Sequence, residues 1–487
     1  MCLVKCRNGI FKGKRSADAL SFIGVPYAAK PVGNLRWQPP QPPAPSNKIF
    51  HADRPSVMPL QPLGSDKKFS ADSIGEDCLK LNIWLNPNDS TANKPVMVYF
   101  HGGGYLRGSI NAPLFDGENF VRDNSGVILI IVGFRLGVMG FIDFAGVEGG
   151  ENFPHSAHLG LLDQIQALRW IHDNIAEFGG DPDNVTIFGH SSGASSCSFL
   201  MGIAEARRYF KRCIAHSGSV FLSHSKKFCR RLAPELLKIS GKKNVAELMT
   251  LTAQEIFELL PALNKFCTFP KRDGKFLPTD MFDRFKDGDT KNIDLLIGTT
   301  ANEMNMWQLI APNLETFHAG IAKVVAALKS QLPAEDVALI DKFLETHDKA
   351  ELLNEIIFRQ PMLKQARLHA AAGGKTFVYQ WRIPTGHESA GAFHTAEMPH
   401  VFGNPIENYK YLSRSFDAAL SKKIQHMWTN FAKYGNPSVD EFSFPTFNAT
   451  DRTTAIFDKN FSVEQNYAAE CDCLAPILDR EFDMLVL

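Results

Sequence analysis

A serine between two glycines is the feature of this sequence that points most directly to chemistry. Residues 188–194 read FGHSSGA, which places Ser191 at the centre of a G-x-S-x-G pattern. A serine hydroxyl is a poor nucleophile at neutral pH, so an acyl-transfer enzyme holds it exposed on a tight turn where a histidine can remove its proton. Gly189 and Gly193 permit that turn because a side chain at either position would clash with nearby backbone. The pattern predicts a nucleophile elbow.

The segments on either side of Ser191 supply the elements that such an elbow requires. Residues 185–188 form a short apolar run rich in β-branched side chains, which predicts a strand, and residues 194–200 suit the start of a helix. A glycine-rich surface loop is the alternative interpretation of the motif, and it would not need the strand. The strand, turn and helix context favours the elbow.

A second candidate is the run HGGGY at residues 101–105, which directly follows an apolar strand pattern at 95–100. Successive glycines leave backbone N–H groups bare. Acyl transfer passes through a tetrahedral intermediate with a negatively charged oxygen, and each preorganised donor to that oxygen contributes roughly 3 kcal/mol. An HGGG run after a buried strand and upstream of an elbow is the arrangement expected for an oxyanion hole, against the alternative of a flexible glycine loop.

Short strand patterns separated by helical stretches extend along most of the chain, and they must position these residues. Asn8-Gly9 predicts an N-terminal hairpin, and apolar positions spaced by three or four predict a helix over 161–178. The further strand patterns are 126–132, 295–298 and 377–381. This alternation predicts an α/β fold: a large, mostly parallel central sheet with antiparallel N-terminal strands and helices on both faces. No linker composition divides the chain, so we expect a single domain over residues 1–487, with insertions.

Composition limits the partners that the chain can have. Its 52 basic and 52 acidic residues balance, and no long Lys/Arg run is present, so we expect no nucleic-acid partner. The N-terminus lacks the apolar run of a secretory signal and no apolar stretch is long enough to cross a bilayer, which predicts a cytoplasmic protein without a membrane anchor. Nine cysteines in no zinc-like arrangement predict mostly reduced core thiols, with a redox role for Cys471 and Cys473 as the alternative.

These motifs together resemble those of the carboxylesterase/cholinesterase (type-B carboxylesterase) family of α/β-hydrolases, over nearly the whole chain. Residues 178–193, FGGDPDNVTIFGHSSG, resemble that family's serine signature, and residues 76–82, EDCLKLN, resemble its second signature. Further stretches that look like family landmarks in their usual order are 24–28, 35–37, 134–137, 162–164 and 273–278. The resemblance implies the α/β-hydrolase fold and the chemistry of a serine esterase.

The resemblance also assigns two partners to Ser191. Glu303 ends a G-x-x-x-x-E pattern after the strand at 295–298, and His394 begins an H-x-x-E-x-x-x-V-F-G pattern, which favours it over His400 and His387. The order nucleophile, acid, base is that of an α/β-hydrolase. By this resemblance His394 is the general base, Glu303 orients its imidazole, and no metal or organic cofactor is needed. The implied oxyanion donors are the N–H groups of Gly103, Gly104 and Ser192.

Several positions depart from the family's usual residues and bear on substrate preference. His190 stands where Glu is usual, Ser192 where Ala is usual, and Met304 and Thr395 where Gly is usual. The disulfide loop that carries a choline-stacking tryptophan in cholinesterases has no counterpart around Cys78, so a quaternary ammonium pocket lacks its expected aromatic face. The pairs Arg36 with Glu76 and Arg135 with Asp163 resemble the family's structural salt bridges.

We therefore predict a serine carboxylesterase that hydrolyses small to medium uncharged carboxylic esters through an acyl-enzyme on Ser191, with a small-molecule ester as its partner. One alternative is a catalytically silent cholinesterase-like binding or adhesion module. Another is an esterase specialised for amide, carbamate or pesticide esters, which the sequence does not separate from the first because pocket shape decides such specificity.

Overall fold

The computed structural model describes residues 2–63, 70, 73–263, 268–387, 389–405, 416–480 and 482–483. The chain divides into two compact units, and each is described by itself. Unit 1 comprises Met1–Ile187, Ile203–Phe210 and His224–Leu277, and unit 2 comprises Phe188–Gly202, Lys211–Ser223 and Pro278–Leu487. The expectation of a single domain over residues 1–487 stays a prediction.

The strands have the bounds expected of short α/β elements, and most of the predicted ones extend by a few residues. They are β1 (Leu3–Cys6), β2 (Gly9–Lys12), β3 (Lys14–Arg15), β4 (Leu20–Pro26), β5 (Ile49–His51), β6 (Met58–Pro59), β7 (Ile74–Gly75), β8 (Lys80–Leu85), β9 (Lys94–Phe100), β10 (Ile128–Val132), β11 (Gly180–His190), β12 (Arg212–His216), β13 (His224–Ser225), β14 (Lys271–Arg272), β15 (Asp294–Thr300), β16 (Thr376–Trp381), β17 (Thr454–Phe457) and β18 (Ser462–Glu464).

The helices lie mostly between these strands. They are α1 (Glu118–Asp123), α2 (Gly137–Gly140), α3 (Leu159–Asn174), α4 (Ser192–Gly202), α5 (Lys226–Cys229), α6 (Leu232–Ser240), α7 (Val245–Leu248), α8 (Ala253–Leu263), α9 (Asp283–Lys286), α10 (Met306–Ile310), α11 (Leu314–Lys329), α12 (Ala334–Phe343), α13 (Lys349–Leu353), α14 (Gln360–Ala371), α15 (Met398–Phe402) and α16 (Ala418–Tyr434). A π-helix, Asn354–Arg359, joins α13 to α14, and a 3-10 turn, Glu303–Asn305, precedes α10.

In unit 1 the predicted N-terminal hairpin is present, with Cys6 paired to Gly9. It lies in a separate three-stranded sheet in the order β1, β2, β5, and does not begin the large sheet as expected. The reason is a pairing between distant segments: β2 pairs in parallel with β5, so this edge of β2 is not available to the large sheet. The antiparallel N-terminal strands of the large sheet are β3, β4 and β8, and β8 also pairs antiparallel to β10. Strands β9 and β10 are parallel.

In unit 2 the strands β12, β15, β16 and β17 follow one another in parallel, and β18 closes the edge antiparallel to β17. Every residue of β16 is buried, as expected for a parallel strand covered on both faces. Helix α14 packs against β15 and β16, and α4 packs against β12. The predicted α/β architecture, a large mixed sheet that is mostly parallel with helices and antiparallel N-terminal strands, is confirmed.

Two buried ion pairs support unit 1, and both agree with the pairs expected from the sequence. Arg36 donates to both carboxylate oxygens of Glu76 at 2.6 and 2.7 Å. Arg135 donates to both oxygens of Asp163 at 2.8 and 2.7 Å, and its backbone N–H donates to Asp163 at 3.1 Å. A bidentate geometry with further hydrogen bonds is what allows such charges to be buried.

The cysteines in the described part of the chain are free thiols, and all but Cys2 and Cys473 are buried, in agreement with the expected core thiols. Cys267 lies outside the described residues. No helix in the described ranges is both long enough and apolar enough to cross a membrane.

Candidate active site

Ser191 occupies the sharp turn between β11 and α4. Its φ of 58° lies in the left-handed region, which a non-glycine residue adopts at a cost of about 1–3 kcal/mol and which is common at functional sites. Two backbone bonds stabilise the turn: the Ser191 N–H donates to the His216 carbonyl at 2.8 Å, and the Ser191 carbonyl accepts from the Ser195 N–H at 3.0 Å. The strand and helix that the sequence predicts around Ser191 are both present.

Glycines make the close approach of backbone at this turn possible. A Cβ added at Gly189 would lie 2.4 Å from the carbonyl carbon of Gly193, so the clash expected from the motif is real. A Cβ at Gly218 would lie 2.2 Å from the Ser191 carbonyl oxygen. Sequence reasoning missed Gly218 because its contact with the elbow arises only when β12 is placed beside the turn.

Glu303 begins the 3-10 turn after β15 and is almost completely buried, at 1% exposed. Its Oε1 accepts from the Thr300 N–H at 2.7 Å and from the Ser217 hydroxyl at 2.6 Å. Its Oε2 lies 2.6 Å from Nδ1 of His394. Three donors directed at one carboxyl group suit a carboxylate, which only accepts, so the proton of the His394 ring belongs on Nδ1 and leaves Nε2 with a lone pair.

The loop that carries His394 is tied to the loop that carries Glu303. The Asn302 N–H donates to the Ala392 carbonyl at 2.9 Å, and the Ala392 N–H donates to the Asn302 side-chain oxygen at 3.1 Å. The His394 N–H donates to the Glu303 carbonyl at 3.3 Å. These bonds bring together two residues that are 91 positions apart in the chain.

Three rings surround the imidazole of His394. The centroids of His190, Phe358 and Trp307 lie 4.3, 5.0 and 5.8 Å from it. His190 directly precedes Ser191, so this ring contact places His394 beside the elbow. Burial, together with the nearby His394 and His216, holds the pKa of His190 well below its usual range, so the His190 ring is neutral at pH 7.

A second set of buried polar groups lies in unit 2, and sequence reasoning assigned it no role. The Trp428 indole N–H donates to Nε2 of His216 at 3.0 Å, so the His216 proton is on Nδ1, 2.8 Å from the Tyr379 hydroxyl. Glu397 lies 3.8 Å from the same Nδ1. Burial, and then the charge of Glu303, raises the pKa of Glu397 to about 8, and burial lowers the pKa of His216 to about 3. The H-x-x-E pattern was the available signal for Glu397.

The glycine run belongs to unit 1. Gly103 and Gly104 have φ values of 115° and 63°, and a Cβ at Gly103 would lie 2.1 Å from the Arg107 carbonyl oxygen. Within the described ranges, neither backbone N–H donates a hydrogen bond. His101 is buried against Phe134, with ring centroids 4.6 Å apart, and burial lowers its pKa to about 4. In unit 2, Ser192 is the first residue of α4 and is buried.

Two of the positions where the chain departs from the family lie beside Glu303 and His394. Thr395 has a φ of 91°, a region that favours glycine, and its hydroxyl lies 3.7 Å from the sulfur of Met306. Met304 is buried, and its N–H donates to the side-chain oxygen of Asn354 at 2.7 Å.

The alternative histidines lie in other surroundings. Nε2 of His400 accepts from the Asp417 N–H at 3.2 Å, and Nδ1 of His387 lies 3.2 Å from the Ser389 hydroxyl. Glu303 is hydrogen-bonded to His394. The part of the chain that the structure describes has no group of three or more His, Cys, Asp or Glu residues placed to hold a metal ion.

Comparison with known proteins identifies the family of this chain. The model of the carboxylesterase family matches residues 2–474. The para-nitrobenzyl esterase of Bacillus subtilis (strain 168) is 30% identical over 485 residues, covering 96% of this chain and 97% of the relative, and carboxylesterase 1E of Mus musculus is 30% identical, covering 86% and 82%. A solved carboxylesterase structure from Geobacillus stearothermophilus superposes with a TM-score of 0.83 at 28% identity, covering 96% and 98%. The chain belongs to the carboxylesterase family and is a serine-type carboxylic ester hydrolase.

Proposed function

We propose that Ser191, Glu303 and His394 form the catalytic triad of this esterase and that its substrates are small to medium uncharged carboxylic esters. The observation that carries the assignment is the 2.6 Å contact between His394 and Glu303, combined with the packing of His394 against the residue that precedes Ser191. These contacts support Glu303 as the acid, His394 as the base and Ser191 as the nucleophile of a serine hydrolase.

The proposed reaction follows from these roles. Nε2 of His394 takes the hydroxyl proton of Ser191 while the serine oxygen bonds to the ester carbonyl carbon, whose oxygen becomes negative. The carbonyl reforms, the bond to the alcohol oxygen breaks, and His394 returns the proton to the leaving alcohol. Water then attacks the acyl-enzyme by the same route and releases the carboxylic acid. Glu303 stabilises the imidazolium in both halves of the reaction.

We assign the N–H groups of Gly103, Gly104 and Ser192 to the oxyanion. The support in unit 1 is that the first two donors have no partner within the described ranges and sit on strained backbone that only glycine adopts easily. The support in unit 2 is that Ser192 directly follows Ser191 and begins α4, because the N–H of the residue after the nucleophile is an oxyanion donor in α/β-hydrolases. Each donor stabilises charge that exists only in the intermediate.

The proposed preference for uncharged esters rests on the surroundings of His394. His190 is neutral, so the site lacks the carboxylate that the family usually places there. Trp307 and Phe358 contribute aromatic rings, and Met306 and Leu309 pack with Ala390 and Phe393 in an apolar cluster. One relative is named para-nitrobenzyl esterase, and the nitrobenzyl group in that name is aromatic and carries no net charge, which is consistent with this preference.

We also propose a cytoplasmic location and no nucleic-acid partner. The free thiols of the described cysteines are typical of a reducing compartment. The numbers of acidic and basic residues are equal, so the chain has no net positive charge to attract a polyanion.

Initial rates on p-nitrophenyl acetate, butyrate, octanoate and palmitate test the proposal, beside a Ser191→Ala variant whose folding is checked by circular dichroism. We expect the variant to lose at least about a thousandfold in kcat on every ester and the wild type to prefer the shorter chains. Hydrolysis that survives in the variant would overturn the assignment of Ser191. A maximum at palmitate would overturn the proposed substrate size.

A further inference from the structure

The π-helix Asn354–Arg359 contacts the base of the proposed triad and the backbone on both sides of its acid. Helix α13, the π-helix and α14 form one helical run over residues 349–371. Pro361 has no backbone N–H, so the α-helical bond to the carbonyl four residues earlier cannot form and the regular ladder is interrupted here. π turns within α-helices are rare and occur frequently at functional sites. This one lies beside β15, the strand that leads to Glu303.

The π-helix holds the loop of Glu303 at two points. The buried Asn354 side-chain oxygen accepts from the Met304 N–H at 2.7 Å. The Arg359 guanidinium donates to the Ala301 carbonyl at 3.1 Å. These two contacts lie on either side of Glu303 in the chain. They therefore fix the position and direction of the backbone that carries its carboxylate.

The same turn contacts the base. The ring of Phe358 is buried, and its centroid lies 5.0 Å from that of His394 with the planes inclined by 44°. This contact limits rotation of the imidazole away from Glu303. The charge of Arg359 is already paired with Glu355, which also accepts from Gln360 at 3.0 Å. The charge of Arg359 also acts on Glu303. The geometric contribution of the turn comes from Asn354 and Phe358.

We infer that this π-helix keeps Glu303 and His394 at the separation that their hydrogen bond requires, with Asn354 and Phe358 as positioning residues. The inference rests on the proposed triad. A loop shifted by about 1 Å is enough to reduce catalysis by about a hundredfold, because proton transfer depends steeply on alignment. Substrate binding does not use the hydrogen bond between Glu303 and His394. We therefore expect a variant that disturbs this bond to lower kcat and to leave KM unchanged.

Other side chains of the same turn provide a matched control. Ile356 is fully buried and lines a small apolar cavity with Val324 and Leu328. A substitution at Ile356 therefore disturbs the packing of the π-helix without removing a contact to Glu303 or His394. If the turn were only structural, Ile356 and Asn354 variants would behave alike.

The experiment compares Asn354→Leu, Phe358→Leu and Ile356→Val with the wild type and Ser191→Ala in the full chain. The readouts are kcat and KM on p-nitrophenyl butyrate, the rate of covalent labelling of Ser191 by a fluorophosphonate, and the thermal unfolding midpoint. We expect Asn354→Leu and Phe358→Leu to lower kcat and the labelling rate in parallel by at least about tenfold. We expect Asn354→Leu to change KM by less than about twofold. Ile356→Val should keep kcat within about twofold while its unfolding midpoint falls.

Unchanged kcat in both Asn354→Leu and Phe358→Leu would overturn the inference, and so would an equal loss in Ile356→Val. If Asn354→Leu fails to fold, Phe358→Leu decides, because it removes a different contact. A wild type no more active than Ser191→Ala would overturn the proposed triad itself, a result that none of the π-helix variants can produce alone.

Discussion

The ring of His190 lies against the ring of His394, with centroids 4.3 Å apart and planes inclined by 43°. His190 is the residue directly before Ser191, and the family usually has glutamate at its position. Burial keeps its pKa well below the usual range, so a neutral ring stands where a carboxylate is usual. This relationship connects the geometry of the site to the preference for uncharged esters that we propose.

His190→Glu should therefore shift the enzyme toward cationic esters. We expect the ratio of kcat/KM for butyrylcholine to that for its uncharged isostere, 3,3-dimethylbutyl butyrate, to rise by about tenfold, the effect of about 1.4 kcal/mol of attraction between opposite charges. His190→Gln, which is polar and neutral, is the control and should keep the wild-type ratio. An unchanged ratio in His190→Glu would show that charge at this position does not select substrates.

Glu303→Gln should lower kcat by about a thousandfold to ten-thousandfold with little change in KM. The physical reason is the set of donors around the carboxylate. Ser217, Thr300 and His394 all donate to it, whereas an amide has one acceptor oxygen and turns its NH₂ group toward one of these donors. The exposed Glu345→Gln is the matched control and should leave kcat unchanged. Turnover above a tenth of the wild-type value would argue against Glu303 as the acid.

Thr395→Gly should raise the free energy of unfolding by about 1 kcal/mol. Thr395 has a φ of 91°, and the strain of a β-branched residue there exceeds the conformational entropy that glycine adds to the unfolded chain. Thr395→Ala separates this strain from the contact with Met306, because alanine removes the hydroxyl but keeps a Cβ. Urea unfolding of the three proteins checks the prediction, which fails if the glycine variant is no more stable than the alanine variant.

Glu397→Gln should alter how stability depends on pH. Burial, and then the charge of Glu303, raises the pKa of Glu397 to about 8, and the other groups facing it, His216 and Tyr379, are neutral at pH 7. Between about pH 4.5 and 8 the unfolded chain releases this proton while the folded chain retains it, so wild-type stability falls as pH rises through that window.

We expect the free energy of unfolding of Glu397→Gln minus that of the wild type to grow by on the order of 3 kcal/mol between pH 5 and pH 8.5, as followed by urea unfolding. Glu345→Gln, at an exposed position, should show no such trend. A difference that stays constant with pH would mean that Glu397 is ionised in the folded protein.

Much of the fold could be predicted because its signals are local. Apolar runs at β9, β10 and β16 and the three-to-four spacing in α3 mark their own segments, and Asn8-Gly9 marks a hairpin wherever that hairpin is placed. The local sequence did not indicate the sheet to which the hairpin belongs. The parallel pairing of β2 with β5 decided it, and that pairing joins segments separated by a long loop.

In the candidate site, too, some features could be predicted from neighbouring residues and others depended on tertiary structure. The elbow around Ser191 could be predicted because the glycines and the serine that form it are neighbours in the chain. Their residue types indicate the backbone conformations that the turn requires. The pairing of Glu303 with His394, the contact of His190 with that histidine, the approach of Gly218 and the support from Asn354 and Phe358 depended on tertiary structure. Hydrogen bonds and ring contacts between distant segments have no periodicity along the chain, so only the packing of strands and helices decides which side chains meet.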